Sequence, residues 1–213
     1  MGMMKNTIRI GLSILVVAAI ALPAMAYIYP LSSTDIRNAY FLGTQNDERS
    51  AAIFAEYVRS FPAPKTGPYI SDIGIDTPYT QVAELCAAAT NDHAQEAEQK
   101  YTGKSFDFLV RVDIFPASNG AAQIPFSAGQ VYSSLPDFWS GLKYRIVQEK
   151  EIPSKSMRTS TLYSSGDGSS LPVGERIELA YDASKITGDP ITIEVDTPDG
   201  QHVETTFNLA KLQ

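Results

Sequence analysis

The sequence predicts a mainly β protein with some α-helix. It indicates an antiparallel β-sandwich of immunoglobulin-like or fibronectin-like pattern, preceded by an αα-hairpin and carrying a helical insertion. Three observations predict it: a C-terminal segment patterned as a β-hairpin, apolar residues that alternate with period two after position 105, and Gly- or Pro-containing turns between the short runs. With 213 residues, 44% of them hydrophobic, the chain has room for one moderate domain with accessory elements.

The terminal segment, residues 189–209, predicts a hairpin whose turn fixes its register. Apolar and polar residues alternate along both arms, and the sequence Thr-Pro-Asp-Gly at 197–200 favours a type I turn with the glycine in the left-handed conformation. This turn sets Val195 opposite Val203, with both on the apolar face. A lone hairpin is only marginally stable in water, so we expect this face to pack on other strands.

The same register sets Glu194 opposite Glu204 on the polar face, where like charges repel. One interpretation is a divalent cation held by these two glutamates and Asp196. The alternative, which we expect, is that the carboxylates point into water or that an Arg or Lys from a neighbouring strand lies between them. His202 faces Asp196 in this register, which predicts an exposed ion pair. No metal site and no cofactor are predicted.

Residues 1–26 have the pattern of a secretory signal peptide. Lys5 and Arg9 precede an apolar run at 10–22, and Ala24-Met25-Ala26 is a cleavage pattern. We expect export to the periplasm or medium, with cleavage after Ala26. The alternative is an uncleaved anchor, which would be the chain's only contact with a membrane. The chain has no N-x-S/T sequon, which fits a bacterial exported protein.

Helical signals follow at residues 27–64, the predicted αα-hairpin. Its second helix carries apolar residues at helical spacing as far as Phe61, and Pro62 then forbids continuation. A Pro-rich linker leads into the predicted sandwich domain, residues 65–213, whose helical insertion spans 77–103. Cys86, the single cysteine, lies on the apolar side of this insertion, which predicts a buried residue without an intrachain disulfide; the alternatives are a reactive free thiol and a bridge between two chains.

The sandwich domain is predicted to contain seven strands. Phe108, Val110 and Val112 alternate along one of them, and apolar residues also occur on its other side, which indicates a central strand. The seven strands are predicted at 69–75, 105–115, 142–148, 157–163 and 177–181 and in the two arms of the hairpin. Turns between them are predicted at 166–168, 171–174 and 188–190.

The chemistry-bearing residues are too few for the familiar catalytic sets. The chain has two histidines and one cysteine, and none of the common hydrolase, nucleotide-binding or zinc-protease motifs. We expect His93 to be a solvated residue at a helix start. No catalytic residue is predicted, and a non-enzymatic binding or structural module is favoured. The alternative is a secreted hydrolase whose carboxylates, such as Asp107, Asp113 and Glu178, converge in a cleft.

The long connection at 116–141 carries the candidate binding residues Tyr132, Phe138 and Trp139, which present flat aromatic surfaces suited to a sugar face or a protein partner. The alternative is that Phe138 and Trp139 fold back and close one end of the sandwich. The formal net charge is −7 and no basic cluster occurs, so nucleic acid is not an expected partner. The expected partner is an unknown protein or glycan of the cell envelope.

Overall fold

A computed structural model describes residues 27–45, 47–64, 68–89, 93–115, 141–166 and 169–212. These residues form four α-helices, nine strands and two short 3-10 helices. The helices are α1 (Ser33–Thr44), α2 (Glu48–Ala55), α3 (Pro78–Ala88) and α4 (Ala94–Tyr101). The strands are β1 (Val58–Ser60), β2 (Tyr69–Asp76), β3 (Phe108–Phe115), β4 (Lys143–Val147), β5 (Glu151–Ile152), β6 (Ser156–Gly166), β7 (Ser169–Tyr181), β8 (Pro190–Asp196) and β9 (His202–Asn208).

The strands form two antiparallel sheets. One has five strands in the order β1-β2-β3-β7-β6, and the other has four in the order β5-β4-β8-β9. The prediction of a mainly β fold with antiparallel sheets is therefore confirmed. Helices α3 and α4 lie in the chain between β2 and β3, which are paired neighbours in the first sheet.

One hydrophobic core is shared by the two sheets. Val110 and Ile177 of the five-stranded sheet belong to the same buried cluster as Ile193 and Phe207 of the four-stranded sheet, and all four are fully buried. Alternate residues of each strand face this core, because successive side chains of a strand point to opposite sides. Full burial of such a side chain contributes about 1.5 to 3 kcal/mol, so the shared core holds the two sheets together.

The terminal hairpin, β8 and β9, has the predicted register. Val195 pairs with Val203 and Glu194 with Glu204. In the turn, the Gly200 N–H donates to the Thr197 carbonyl at 3.0 Å, and Gly200 has the left-handed φ of 87°. The period-two pattern and the turn residues together were thus sufficient to place the two arms.

A second hydrophobic cluster joins three helices. It contains buried residues of α1, α3 and α4, with Cys86 of α3 only 1% exposed, so the prediction of a buried cysteine is confirmed. Helices α1 and α3 come very close: a Cβ on Gly43 would lie 1.9 Å from the Ala83 carbonyl oxygen. Glycine at position 43 is therefore what allows this approach.

The prediction of a helix reaching Phe61 is wrong. Helix α2 ends at Ala55, and residues 58–60 form strand β1, which pairs with β2. Tyr57 is 3% exposed and belongs to the core of the sheets. Pairing with β2 decides the conformation of this segment, because helix propensity is a weak preference that tertiary contacts override.

The sequence does not predict β1 and β5, and it predicts β6 and β7 too short. The short strands β1 and β5 have no period-two signal of their own. The turn predicted at 171–174 is instead part of β7, which pairs with β6 over its whole length and shows a register shift where Gly174 and Pro172 face consecutive β6 residues. Proline is tolerated within a sheet at such an irregularity, so this Pro-Val-Gly sequence does not end the strand.

Candidate functional site

The predicted aromatic binding residues Tyr132, Phe138 and Trp139 lie outside the described residues. The same is true of residues 1–26. In the described part of the chain, no helix is both long enough and apolar enough to cross a membrane.

The polar face of the hairpin is a row of ion pairs. Arg145 of β4 lies opposite Glu194 and pairs with its carboxylate, so a cation from the neighbouring strand offsets the charge of Glu194, on the side away from Glu204. His202 Nδ1 is 2.7 Å from Asp196 Oδ1, and both side chains are about half exposed. The hydrogen bond between them raises the pKa of His202 and lowers that of Asp196.

This face therefore has the geometry of an exposed ion-pair ladder, as expected from the register. His202 Nε2 also lies 3.8 Å from Glu204. Among the described residues, no group of three or more His, Cys, Asp or Glu side chains is placed to hold a metal ion. His93 is exposed and is the N-cap of α4, with its backbone N–H donating to Glu96 at 3.0 Å.

The three carboxylates considered for a hydrolase are each paired with a different cation. Three contacts show this: Lys155 Nζ to Asp107 at 2.5 Å, Arg176 to both oxygens of Asp113 at 2.7 Å, and Arg158 to Glu178 at 3.0 Å. Bidentate pairing of the Asp113 type is strong and geometrically specific. In the register of the first sheet Asp113 faces Arg176 and Glu178 faces Arg111, so strand pairing accounts for the placement of both carboxylates.

Sequence reasoning missed a buried carboxylate, Asp76, at the end of β2. It is 4% exposed, and Arg111 of β3 lies 2.6 Å from its Oδ1. Burial raises the pKa of Asp76 to about 6, although the guanidinium acts in the opposite direction. Glu84 of α3, at 3.8 Å from the same guanidinium, is half exposed. The sequence signal was Arg111 itself, a cation inside an apolar strand covered on both sides.

Perturbed carboxylates cluster at functional sites, but Asp76 is enclosed rather than open to a substrate. The Gln81 side chain donates to the backbone carbonyls of Asp76 and Asp107 at 3.1 and 2.6 Å, which ties α3 over the ends of β2 and β3. Gln81 therefore joins helix to sheet, while the ion pair of Asp76 with Arg111 joins the neighbouring strands β2 and β3.

A small cleft lies beside the first described residues. Its volume is about 90 Å³, below the roughly 300 Å³ at which ligand pockets begin. The carboxylate of Asp35 in its wall already accepts from the backbone N–H and hydroxyl of Ser32, at 2.8 and 2.6 Å. The cleft is lined by Tyr27, Ile28, Asp35, Asn38, Thr77, Tyr79 and Leu212.

The open feature of the fold is the outer edge of β6. This strand pairs with β7 on one side, and no other described strand pairs with its second side. Alternate residues of an edge strand turn their N–H and C=O groups away from the sheet, so β6 presents a row of backbone donors and acceptors. Of its side chains, Met157 is 54% exposed and Tyr163 is 60% exposed.

The other edges of the described sheets are shorter or more charged than β6. Strand β1 has three residues and β5 has two, while β9 exposes His202 and Glu204. Short edge strands and exposed charges are the devices that prevent unwanted strand pairing. Strand β6 has eleven residues and a single charged side chain, Arg158. It is therefore the candidate functional surface of the described chain.

Comparisons of the chain with protein-family models, curated proteins and solved structures found no match.

Proposed function

We propose that this chain is an exported, non-enzymatic binding or structural module of the bacterial periplasm or cell envelope. The observation that carries the proposal is the open edge of β6, eleven residues long and bearing one charge. An extended segment of another polypeptide adds to such an edge as a further strand, with main-chain hydrogen bonds supplying affinity and side chains supplying specificity.

Side chains of β6 favour this mode of binding. Met157 pairs with Leu179, a core residue of β7, so Met157 and every second residue after it lie on the core side of the sheet. We call Met157, Thr159, Thr161 and Tyr163 the β6 strip. The strip is partly or fully exposed along its length, and β6 is the last strand of its sheet. An added strand would cover it.

The experiment compares association by the full chain and by an edge-blocked variant. Met157→Lys with Thr159→Lys places two charges on the β6 strip, and Ala87→Lys with Ala88→Lys places two on exposed positions of α3. Pull-down from the envelope should recover a fixed polypeptide, either another protein or another copy. Only the β6 variant should lose it, because charged edges oppose strand addition.

Equal recovery by the two variants would remove the support for a binding role of β6. Circular dichroism on both variants checks that they are folded. N-terminal sequencing of the exported chain tests its localisation, with Tyr27 expected as the first residue if the signal pattern is cleaved after Ala26. A protein that is retained inside the cell at full length would contradict export.

The alternative function, a hydrolase with dispersed carboxylates, has no supporting observation among the described residues, where Asp107, Asp113 and Glu178 are each ion-paired. A glycan contact through Tyr132, Phe138 and Trp139 stays a prediction. Trp139 is the only tryptophan, so its fluorescence reports directly on this loop. An emission that responds to glycan titration supports the contact, and a blue-shifted emission protected from quenchers argues against it.

The finer features of the fold are also proposals. The core shared by the two sheets supports a β-sandwich, and the immunoglobulin-like or fibronectin-like pattern is our assignment for it. The αα-hairpin at 27–64 and the division of the chain at 64/65 stay predictions. An experimental structure of the exported chain tests all three.

A further inference from the structure

The β6 strip is symmetric about Ser160. Its two large side chains, Met157 and Tyr163, lie three residues before and three residues after Ser160. Thr159 and Thr161 lie one residue on either side. Among the strand residues whose side chains the structure describes, these two are also the only large hydrophobic ones that are strongly exposed. A strand with this pattern is complementary to itself when it is turned around.

We propose that the occupant of the β6 edge is β6 of a second copy of this chain, paired antiparallel about a two-fold axis at Ser160. Each Met157 then lies opposite Tyr163 of the second copy, and Thr159 lies opposite Thr161. Contacts between a methionine sulfur and an aromatic ring are favourable, as are threonine pairs across strands. A two-fold interface uses the same patch on both copies, so each of these contacts occurs twice.

The charges of the edge are compatible with this pairing. Arg158 is the only charged residue of β6, and the two-fold sets it opposite Leu162, so the two arginines are not directly opposed. Arg158 also contacts Glu178 of β7 at 3.0 Å, which neutralises the patch locally. The formal net charge of −7 makes two copies repel elsewhere on their surfaces. Association of two copies is therefore favoured at this edge over the rest of their surfaces.

The size of the edge sets the expected strength. The two-fold at Ser160 pairs positions 156–164 of the two copies, nine residues that extend about 30 Å at roughly 3.3 Å per residue. An edge-to-edge contact of this length and one sheet's thickness falls at the small end of specific interfaces, where association is weak. We therefore expect a dimer that dissociates in the micromolar range. The inference rests on the proposed function, since it names the partner of the same surface.

Cysteine cross-linking tests the two-fold register in the full exported chain. At the axis, Ser160 of one copy faces Ser160 of the other at a Cα separation of about 4.5 to 5.5 Å, within disulfide range. Ser160→Cys should give a covalent dimer under mild oxidation. The native Cys86 is 1% exposed, so the background should be low. Dimer yield on non-reducing gels is the measurement.

Two further variants act as matched controls. Thr159→Cys and Thr161→Cys face each other and not themselves, so each alone should cross-link several-fold less than the mixture of the two. Equal cross-linking by every single variant would indicate random collision, and efficient cross-linking by Thr159→Cys alone would place the axis at position 159. Either result overturns the proposal.

A charge at the axis tests the same pairing without covalent chemistry. Ser160→Lys sets a lysine against its own copy, and the dissociation constant measured by sedimentation should rise at least tenfold. An equimolar mixture with Ser160→Glu should restore dimers, whereas Ala87→Lys with Ala88→Lys should dimerise like the parent chain. Melting curves separate loss of pairing from loss of folding.

The outcomes distinguish this inference from the proposed function. A chain that is monomeric at 100 µM or more and gives no Ser160→Cys dimer overturns the second-copy inference. The proposed function still stands in that case if pull-down recovers a different protein that the Met157→Lys, Thr159→Lys variant loses. If neither association depends on β6, both fail.

Discussion

At the scale of single residues, Asp76 shows burial and a neighbouring cation acting against each other on one carboxyl group. Burial has the larger effect, and the pKa of Asp76 is raised to about 6 despite Arg111 at 2.6 Å. The folded protein therefore binds a proton at Asp76 more tightly than the unfolded chain does, where the pKa is near 3.8. Stability falls as the pH rises from about 4 to 6, because ionised Asp76 is the costly form.

We predict that Asp76→Asn stabilises the protein at pH 8. The pKa difference corresponds to about 3 kcal/mol at 1.36 kcal/mol per pKa unit, which sets the upper limit of the gain. Near pH 4 the gain should vanish, since Asp76 is then protonated and resembles asparagine. Urea unfolding at both pH values measures the difference. Glu84→Gln, at a half-exposed carboxylate near the same guanidinium, should change stability by no more than about 0.5 kcal/mol.

Contacts between residues joined by one short turn could be predicted from the sequence, and contacts between residues far apart in the chain could not. The contact between His202 and Asp196 followed from the hairpin register, because the two residues are separated by one short turn. The contact between Asp76 and Arg111 joins strands separated by two helices. To predict this contact, one must know that β2 pairs with β3 and that α3 covers their ends. The alternation of apolar residues in the two strands does not contain that information.

At the scale of elements, the terminal hairpin depends on one backbone conformation. Gly200 has a φ of 87°, a backbone conformation that L-residues with a side chain rarely adopt. No atom lies within 4 Å of the position that a Cβ would take. The requirement for glycine is therefore conformational rather than steric.

We predict that Gly200→Ala costs about 1 to 2 kcal/mol of unfolding free energy, from the strain of a left-handed alanine. Gly188→Ala is the matched control, because a Cβ there also has open space and its φ is outside the left-handed range. That change should be neutral or slightly stabilising, by less than about 1 kcal/mol. Denaturant titration of the two variants measures both effects, and equal losses would contradict the conformational explanation.

Elements with a strong period were predictable, and elements defined by their partners were not. Strand β3 and both hairpin arms show period two over at least seven residues and lie where expected. Strand β1 has three residues, so its helical spacing with Phe54 gave a stronger signal than its own pattern. Its conformation comes from pairing with β2, which lies outside any local window.

At the scale of the whole molecule, the order of strands could not be predicted from the sequence. The pattern at 157–163 predicts a strand but does not say whether it is central or at an edge. The sheet order places β6 at the edge of the five-stranded sheet, and this edge position makes β6 the candidate binding surface. The fold class could be predicted from the sequence because alternation and turns are local patterns. The candidate site could not, because it depends on which strand edges remain unpaired in the folded chain.

The helical cluster is held to the sheets partly by Gln81, whose side chain reaches two backbone carbonyls at strand ends. We predict that Gln81→Ala costs about 1 to 2 kcal/mol, because two hydrogen bonds are lost and partly buried carbonyls remain. Gln95→Ala, at an exposed position of α4, should change stability by less than about 0.5 kcal/mol. Thermal or urea unfolding of the two variants measures the difference. Equal effects would show that these bonds contribute nothing beyond helix propensity.

The anchoring of Tyr27 sets an order of events during synthesis. Its hydroxyl donates to the Ala183 carbonyl at 3.0 Å, and its ring packs edge-on against Phe108. Ala183 lies 156 positions after Tyr27, so the chain must be made as far as Ala183 before this contact can form, and Leu212, in the same cleft, is made later still. The earliest described residue of the chain therefore cannot reach its native contacts until nearly all of the described chain has been made.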